Sequence, residues 1–152
     1  MKRPAIGVLI LILLSFATAP ALALNEEKFS YITIQNVDIT LDNASARIKI
    51  NYAIDDGTRF IVMLLGKQDL KNKLIKILNY EDVVVKNIEL DSADILINDA
   101  SYTYGRGIYW FPSHQFNVNI PTLTIHTPQT SRQFTNVNEF PQGIGYFDTS
   151  GE

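Results

Sequence analysis

Cysteine is absent from all 152 residues. That excludes disulfides, thiolate zinc sites, cysteine nucleophiles and lipid attachment through an N-terminal cysteine. A chain that folds outside the cytoplasm without disulfides must be held by its core alone. This is commoner in a prokaryotic envelope than among small eukaryotic secreted domains.

Histidine is nearly as scarce, with only His114 and His126. A zinc or iron site needs two or three histidines converging with a carboxylate, and no H-x-H or H-x-x-x-H spacing is present. Ser113 and His114 are neighbours in a strand-like stretch, so they face opposite ways and make no catalytic pair. No G-x-S-x-G elbow occurs. Gly105-Arg106-Gly107 and Gly143-Ile144-Gly145 each supply two glycines without completing G-x-G-x-x-G, so nucleotide binding has no support. Asp91, Asp94, Asn98 and Asp99 form a small acidic group but no D-x-[DN]-x-[DN]-G calcium loop. Turn aspartates mainly bond their own backbone. We therefore expect no metal, no cofactor and no enzymatic activity.

Positive charge is also in deficit. The formal net charge is −3. Without Lys2 and Arg3 the chain holds 11 basic against 16 acidic residues, a net of −5. No basic cluster offsets this, which argues against nucleic acid as a partner.

Long apolar runs are lacking everywhere except at the N-terminus. There Met1-Lys2-Arg3 precedes 21 uncharged residues, Pro4 to Leu24. The run weakens after Phe16 and passes Pro20. Ala21 and Ala23 then form the Ala-x-Ala pattern of signal-peptide cleavage, followed by Asn25-Glu26-Glu27. The expectation is a leader over residues 1–23 and one exported domain over 24–152, secreted or in the cell envelope. The alternative is an uncleaved anchor with the domain outside, since about 20 apolar residues can span a bilayer. In that case the leader would be the only membrane contact.

The body of the chain alternates. Tyr31 to Leu41 reads as one strand with a bulge at Gln35-Asn36. Asp42-Asn43 reads as a two-residue turn. Ala44, Ala46, Ile48, Ile50, Tyr52 and Ile54 then point one way while Ser45, Arg47, Lys49 and Asn51 point the other, the pattern of a sheet with one wet face. After an Asp55–Thr58 turn, Phe60 to Leu65 has the length and apolarity of a strand. Leu70, Leu74, Ile77 and Leu78 follow the spacing of an apolar helix stripe that stops at Asn79.

Val83 to Ile97 has the densest β-branched content. It reads as a long central strand, buried on both faces at Val83–Val85, with an irregularity at Asp91-Ser92. Short strands follow at Ser101–Tyr104 and Ile108–Phe111, separated by Gly105-Arg106-Gly107. A longer strand, Phe116 to Ile125, is broken in phase by Pro121. From about residue 128 the composition suggests an extended tail that adds at most one strand, with Thr149 to Glu152 disordered.

The fold class is therefore mainly β: an antiparallel, two-layer, sandwich-like domain with one amphipathic helix. An open α+β sheet is the alternative.

The one arguable site is aromatic. Tyr102, Tyr104, Arg106, Tyr109 and Trp110 fall close together, and aromatic faces beside an arginine can stack a sugar, a peptide or another subunit. The bland reading is that alternate members fill the core and the rest cover an edge. Asn43-Ala44-Ser45 is the single glycosylation sequon. Two functions follow from these features. One is an exported, non-catalytic module that binds a protein or itself through strand edges or the aromatic face. The other is a small carbohydrate-binding domain or enzyme using Tyr102–Phe111.

Overall fold

The computed structural model describes Phe29 and residues 31–148. The chain divides into two compact units, Met1–Ser30 and Tyr31–Glu152, and the secondary structure described here lies in the second. The leader with Ala21 and Ala23, and the stretch from Thr149 to Glu152, lie outside the described residues.

The domain is mainly β with two sheets. Among the described residues its nine strands are β1 (Ile32–Asp42), β2 (Ser45–Ile54), β3 (Val83–Ile88), β4 (Ser92–Ile97), β5 (Tyr102–Thr103), β6 (Ile108–Phe111), β7 (His114–His126), β8 (Ser131–Phe140) and β9 (Ile144–Phe147). Two helices, α1 (Asp56–Leu65) and α2 (Gln68–Leu78), sit between β2 and β3. The large sheet has the order β3-β4-β2-β1-β7-β8 and the small one β5-β6-β9. All pairings are antiparallel except β1 with β7, which is parallel.

The middle of the large sheet is the β1–β2 hairpin. It turns at Asn43, whose φ of 50° suits an asparagine in a two-residue loop. The register shifts between Ile34 and Asn36, where the alternation of the sequence breaks. Rows of apolar residues run across the sheet from strand to strand: Val85, Ile95, Ile48, Ile39 and Ile125 occupy paired positions. On β2, Ala46, Ile48 and Ile50 are completely buried, while Arg47 and Lys49 on the opposite face are exposed.

Helix α2 covers part of that dry face. Leu70, Leu74, Ile77 and Leu78 are all completely buried. The helix packs against both β7 and β3, so it spans the strands between them. It ends at Asn79, which takes the left-handed conformation (φ 61°) and returns its N–H to the Ile75 carbonyl. The Asn79 side chain then donates to the Gln115 carbonyl at 3.0 Å, and Asn117 donates to the Lys76 carbonyl at 2.7 Å. The orphan carbonyl of Lys76 is thereby tied to β7. Residues 116–119 bulge out of the β7–β8 ladder to make this contact.

Three stretches differ from the sequence reading. Phe60–Leu65 belongs to α1 and is not a strand. Asp55 caps the helix: its Oδ1 accepts from the Thr58 N–H at 3.0 Å, and that bond holds its carboxyl below the usual range. A short apolar run cannot by itself distinguish a strand from a helix. Here an aspartate cap precedes good helix formers, Met63, Leu64 and Leu65.

Val83–Ile97 is likewise a hairpin, β3 and β4, rather than one central strand. Its reversal falls at Glu89–Asp91 and its bulge at Lys86. β3 lies at the sheet edge, with Val84 exposed. The phase flip in the sequence records a change of direction. Tyr52 holds that turn, its hydroxyl donating to the Glu89 carbonyl at 2.8 Å with the Ser92 carbonyl at 3.1 Å. Burial, with Asp91 and Glu89 nearby, keeps the Tyr52 phenol protonated by raising its pKa. The stretch from about residue 128 adds two strands where the sequence reading allowed one. It supplies β8 to the large sheet and β9 to the small one.

Ile50→Asp should abolish folding or cost several kcal/mol, a large share of a small domain's stability, because it buries an unpaired carboxylate. Lys49→Gln should be within about 0.5 kcal/mol of wild type. Aspartate would be a poor control at position 49, since Lys49 sits opposite Asp38 and Asp94 and three carboxylates would then align. Urea denaturation midpoints check both values.

A second expectation concerns pH. The His114 ring stacks on Tyr80 at 3.7 Å between centroids, and its Nε2 lies 2.7 Å from the Leu78 carbonyl. A carbonyl only accepts, so Nε2 carries the proton. Burial lowers the His114 pKa, outweighing the opposing effect of that carbonyl. The unfolded chain therefore binds the extra proton more readily. Stability should be full above about pH 6.5 and fall as the pH drops below it. His114→Phe, which keeps the stack, should flatten that slope in thermal melts between about pH 5 and 7.

Candidate functional site

The small sheet separates the predicted aromatic residues by the two-residue period of its strands. Tyr102 pairs with Trp110 and Trp110 with Gly145; Ile108 pairs with Phe147. These residues share one face. Tyr104, two residues on from Tyr102, bonds its N–H to the Ile108 carbonyl at 2.9 Å and extends the same face. Tyr102, Tyr104, Ile108, Trp110 and Phe147 are between 41% and 71% exposed.

The other face is dry. Phe111, Ile144 and Tyr146 are buried. Phe111 stacks on Phe140 at the end of β8 with 5.9 Å between ring centroids. Tyr146 donates to the Asn43 carbonyl and lies 2.8 Å from Ser101 Oγ; burial raises its pKa, partly offset by Ser101. These contacts fasten the small sheet to the β1–β2 hairpin.

Trp110 has a seat. A Cβ built on Gly143 would meet the indole Cζ2 at 2.4 Å, and one on Gly145 would meet Cε3 at 3.5 Å. The ring therefore lies flat across two glycines that present bare backbone to it, a role glycine takes in strands where something approaches closely. Between Tyr104 and Ile108 the hairpin turns through Gly105, Arg106 and Gly107, all with positive φ (79°, 52° and 72°).

Of the five residues singled out from sequence, the structure brings Tyr102, Tyr104 and Trp110 together on the exposed face. Arg106 stands exposed at the hairpin tip beside that face. Tyr109 does not join them. It is on the core side, stacked on Tyr146 at 5.5 Å, with its hydroxyl donating to Asn43 Oδ1 at 3.3 Å. Alternation makes this unavoidable, because Tyr109 sits between Ile108 and Trp110. The same bond occupies the sequon: Asn43 is exposed at its turn, but its side chain is held by Tyr109 and donates to Asp42 at 3.2 Å.

Sequence reasoning missed Ile108 and Phe147 on the exposed face, and the glycines under Trp110. The available signal was Gly143-Ile144-Gly145, small residues two apart in a strand, which in a sheet mark a seat for a large cross-strand side chain.

The strand edges are partly closed. The Gln129 side-chain amide pairs with both backbone groups of Phe147 on the outer edge of β9, its Oε1 accepting from the Phe147 N–H at 3.3 Å. Lys67 donates to the Ile88 carbonyl at the end of β3. On β8, Asn136 has a φ of 53°, which kinks that long edge.

Among the described residues no three His, Asp or Glu side chains gather as metal ligands. His114 and His126 lie at opposite ends of β7, and His126 Nδ1 is 2.7 Å from Ser131 Oγ. No known protein family, curated protein or solved structure matches the chain.

Gly143→Ala should push the indole off its seat. Trp110 is the only tryptophan, so its emission maximum should move to the red, at a stability cost of about 1–3 kcal/mol from overpacking. An unchanged spectrum would show that the ring does not rest on Gly143.

Proposed function

We propose that this protein is an exported, non-catalytic binding or assembly module of the cell envelope or the secreted space, and that it binds through the aromatic face of the small sheet. One observation carries the reading: Trp110 is held flat and open to solvent over Gly143 and Gly145, among Tyr102, Tyr104, Ile108 and Phe147. A rigid aromatic surface loses little conformational entropy on binding, and burying it is strongly favourable. Contiguous exposed apolar patches of this kind mark interaction sites. The closed or kinked strand edges favour the aromatic face over edge pairing.

A second reading has its own support. A single indole seated on glycines, with the tyrosine phenols beside it, suits the flat apolar face of a sugar ring, and the hydroxyls supply polar contacts. The partner is then a carbohydrate.

Sizing chromatography of wild type and Trp110→Ala at several salt concentrations tests the proposal, alongside titration of Trp110 emission with soluble oligosaccharides. Association that is indifferent to salt and lost in Trp110→Ala, with the melting transition kept, supports a protein or self-binding face. A saturable emission shift with an oligosaccharide supports the second reading. Trp110→Ala behaving as wild type in both assays, or a salt-sensitive complex with polyanions, overturns the proposal.

A further inference from the structure

Helix α1 turns the usual pattern of a surface helix inside out. Of its apolar residues only Val62 is buried, while Phe60, Ile61, Met63, Leu64 and Leu65 are 52% to 82% exposed. At about 100° per residue, Thr58 and Val62 mark the side against the protein, and the five exposed side chains fan over roughly 200° of the outer surface. The helix carries one acid, Asp56, and one base, Arg59, so it is neutral.

Its position supplies the second observation. Ile54, the last residue of β2, pairs with Ile32, and the Asp55 N–H donates to the Tyr31 carbonyl at 3.2 Å. The start of α1 is thus bonded to the point where the N-terminal segment joins the domain. The 21 uncharged residues of that segment end at Leu24. Six residues, Asn25 to Ser30, separate Leu24 from Tyr31, and six residues reach at most about 20 Å. A chain held at a bilayer by its leader, whether during export or permanently, is held at the end of the domain that carries α1.

We propose that α1 is a membrane-interface helix, its exposed apolar arc seated among the acyl chains of a phospholipid bilayer. This goes beyond the aromatic-face reading and does not rest on it. A neutral, strongly apolar helix binds by burial of apolar area, so zwitterionic lipid suffices. A second copy of the chain is the weaker occupant. A ten-residue helix is about 15 Å long and about 11 Å across, so its outer half offers on the order of 300 Å², against the roughly 800 Å² per partner that a stable protein interface buries.

The chain has no cysteine, so one introduced thiol can be labelled cleanly. In the full chain, Leu64→Cys on α1 and Lys49→Cys on the wet face of β2 each carry a polarity-sensitive fluorophore. They are mixed with phosphatidylcholine vesicles, with and without brominated acyl chains, and Trp110 emission confirms the fold. The expected result is a blue shift and bromine quenching at position 64, unaffected by high salt, with neither at position 49. Water-like emission at position 64 in the presence of vesicles, whether or not the chain binds them, overturns the proposal. So does a blue shift at position 64 without lipid accompanied by a doubled mass, which would place a second copy on the helix.

Discussion

The structure depends on one constraint: a six-stranded sheet is dry on one face only. β2 states it most plainly, with Ala46, Ile48 and Ile50 at zero exposure and Arg47 and Lys49 in water between them. A sheet of this kind is unstable until its apolar face is covered. Two elements do this here. Helix α2 spans from β3 to β7, and the small sheet presses Phe111, Ile144 and Tyr146 inward. Each cover is also fixed by polar contacts: Asn79 and Asn117 at the end of the helix, and the part-buried Tyr146 at the Asn43 turn.

That arrangement is what exposes the aromatic face. A strand has two sides. Once Tyr109, Phe111, Ile144 and Tyr146 are committed to the core, Ile108, Trp110, Gly145 and Phe147 must face outward. The outward row is organised as well as apolar, because the glycines of β9 lie beneath the indole while Gln129 closes the outer edge of the same strand at Phe147. Helix α1 has a different origin. It is short, capped by Asp55, terminated by Gly66, and attached to the domain mainly through Val62. Its other apolar side chains stay out of the core.

Local pattern settled a good deal by itself. The one-sided alternation of β2, the bulge near Asn36, the Asp42-Asn43 turn, the stripe of α2 and its end at Asn79 were all readable, since each depends on residues within a few positions of one another. So was the split of the aromatics into inward and outward sets, although not which set would face water. The expectation of a leader rests on a local signal too, carried by charge, apolarity and the Ala21–Ala23 spacing, and lies outside the described residues.

The tertiary structure decided whatever depends on partners distant in sequence. Phe60–Leu65 could be strand or helix on apolarity alone, and it is a helix capped at Asp55. Val83–Ile97 looked central because it is rich in β-branched residues, yet it folds back on itself and ends at the sheet edge. Strand order is set by which edges remain open, and composition does not encode that. β8, polar and without clear period, becomes a strand because β7 offers it unpaired backbone, and the short β9 forms beside β6 in the same way. Trp110 finds Gly143 only after β9 pairs with β6. Sequence by itself determined which residues of an alternating strand share a face, because sharing a face is a property of neighbours two residues apart. Only the assembled sheets decided which faces are buried, because burial depends on what long-range pairing brings to lie over them.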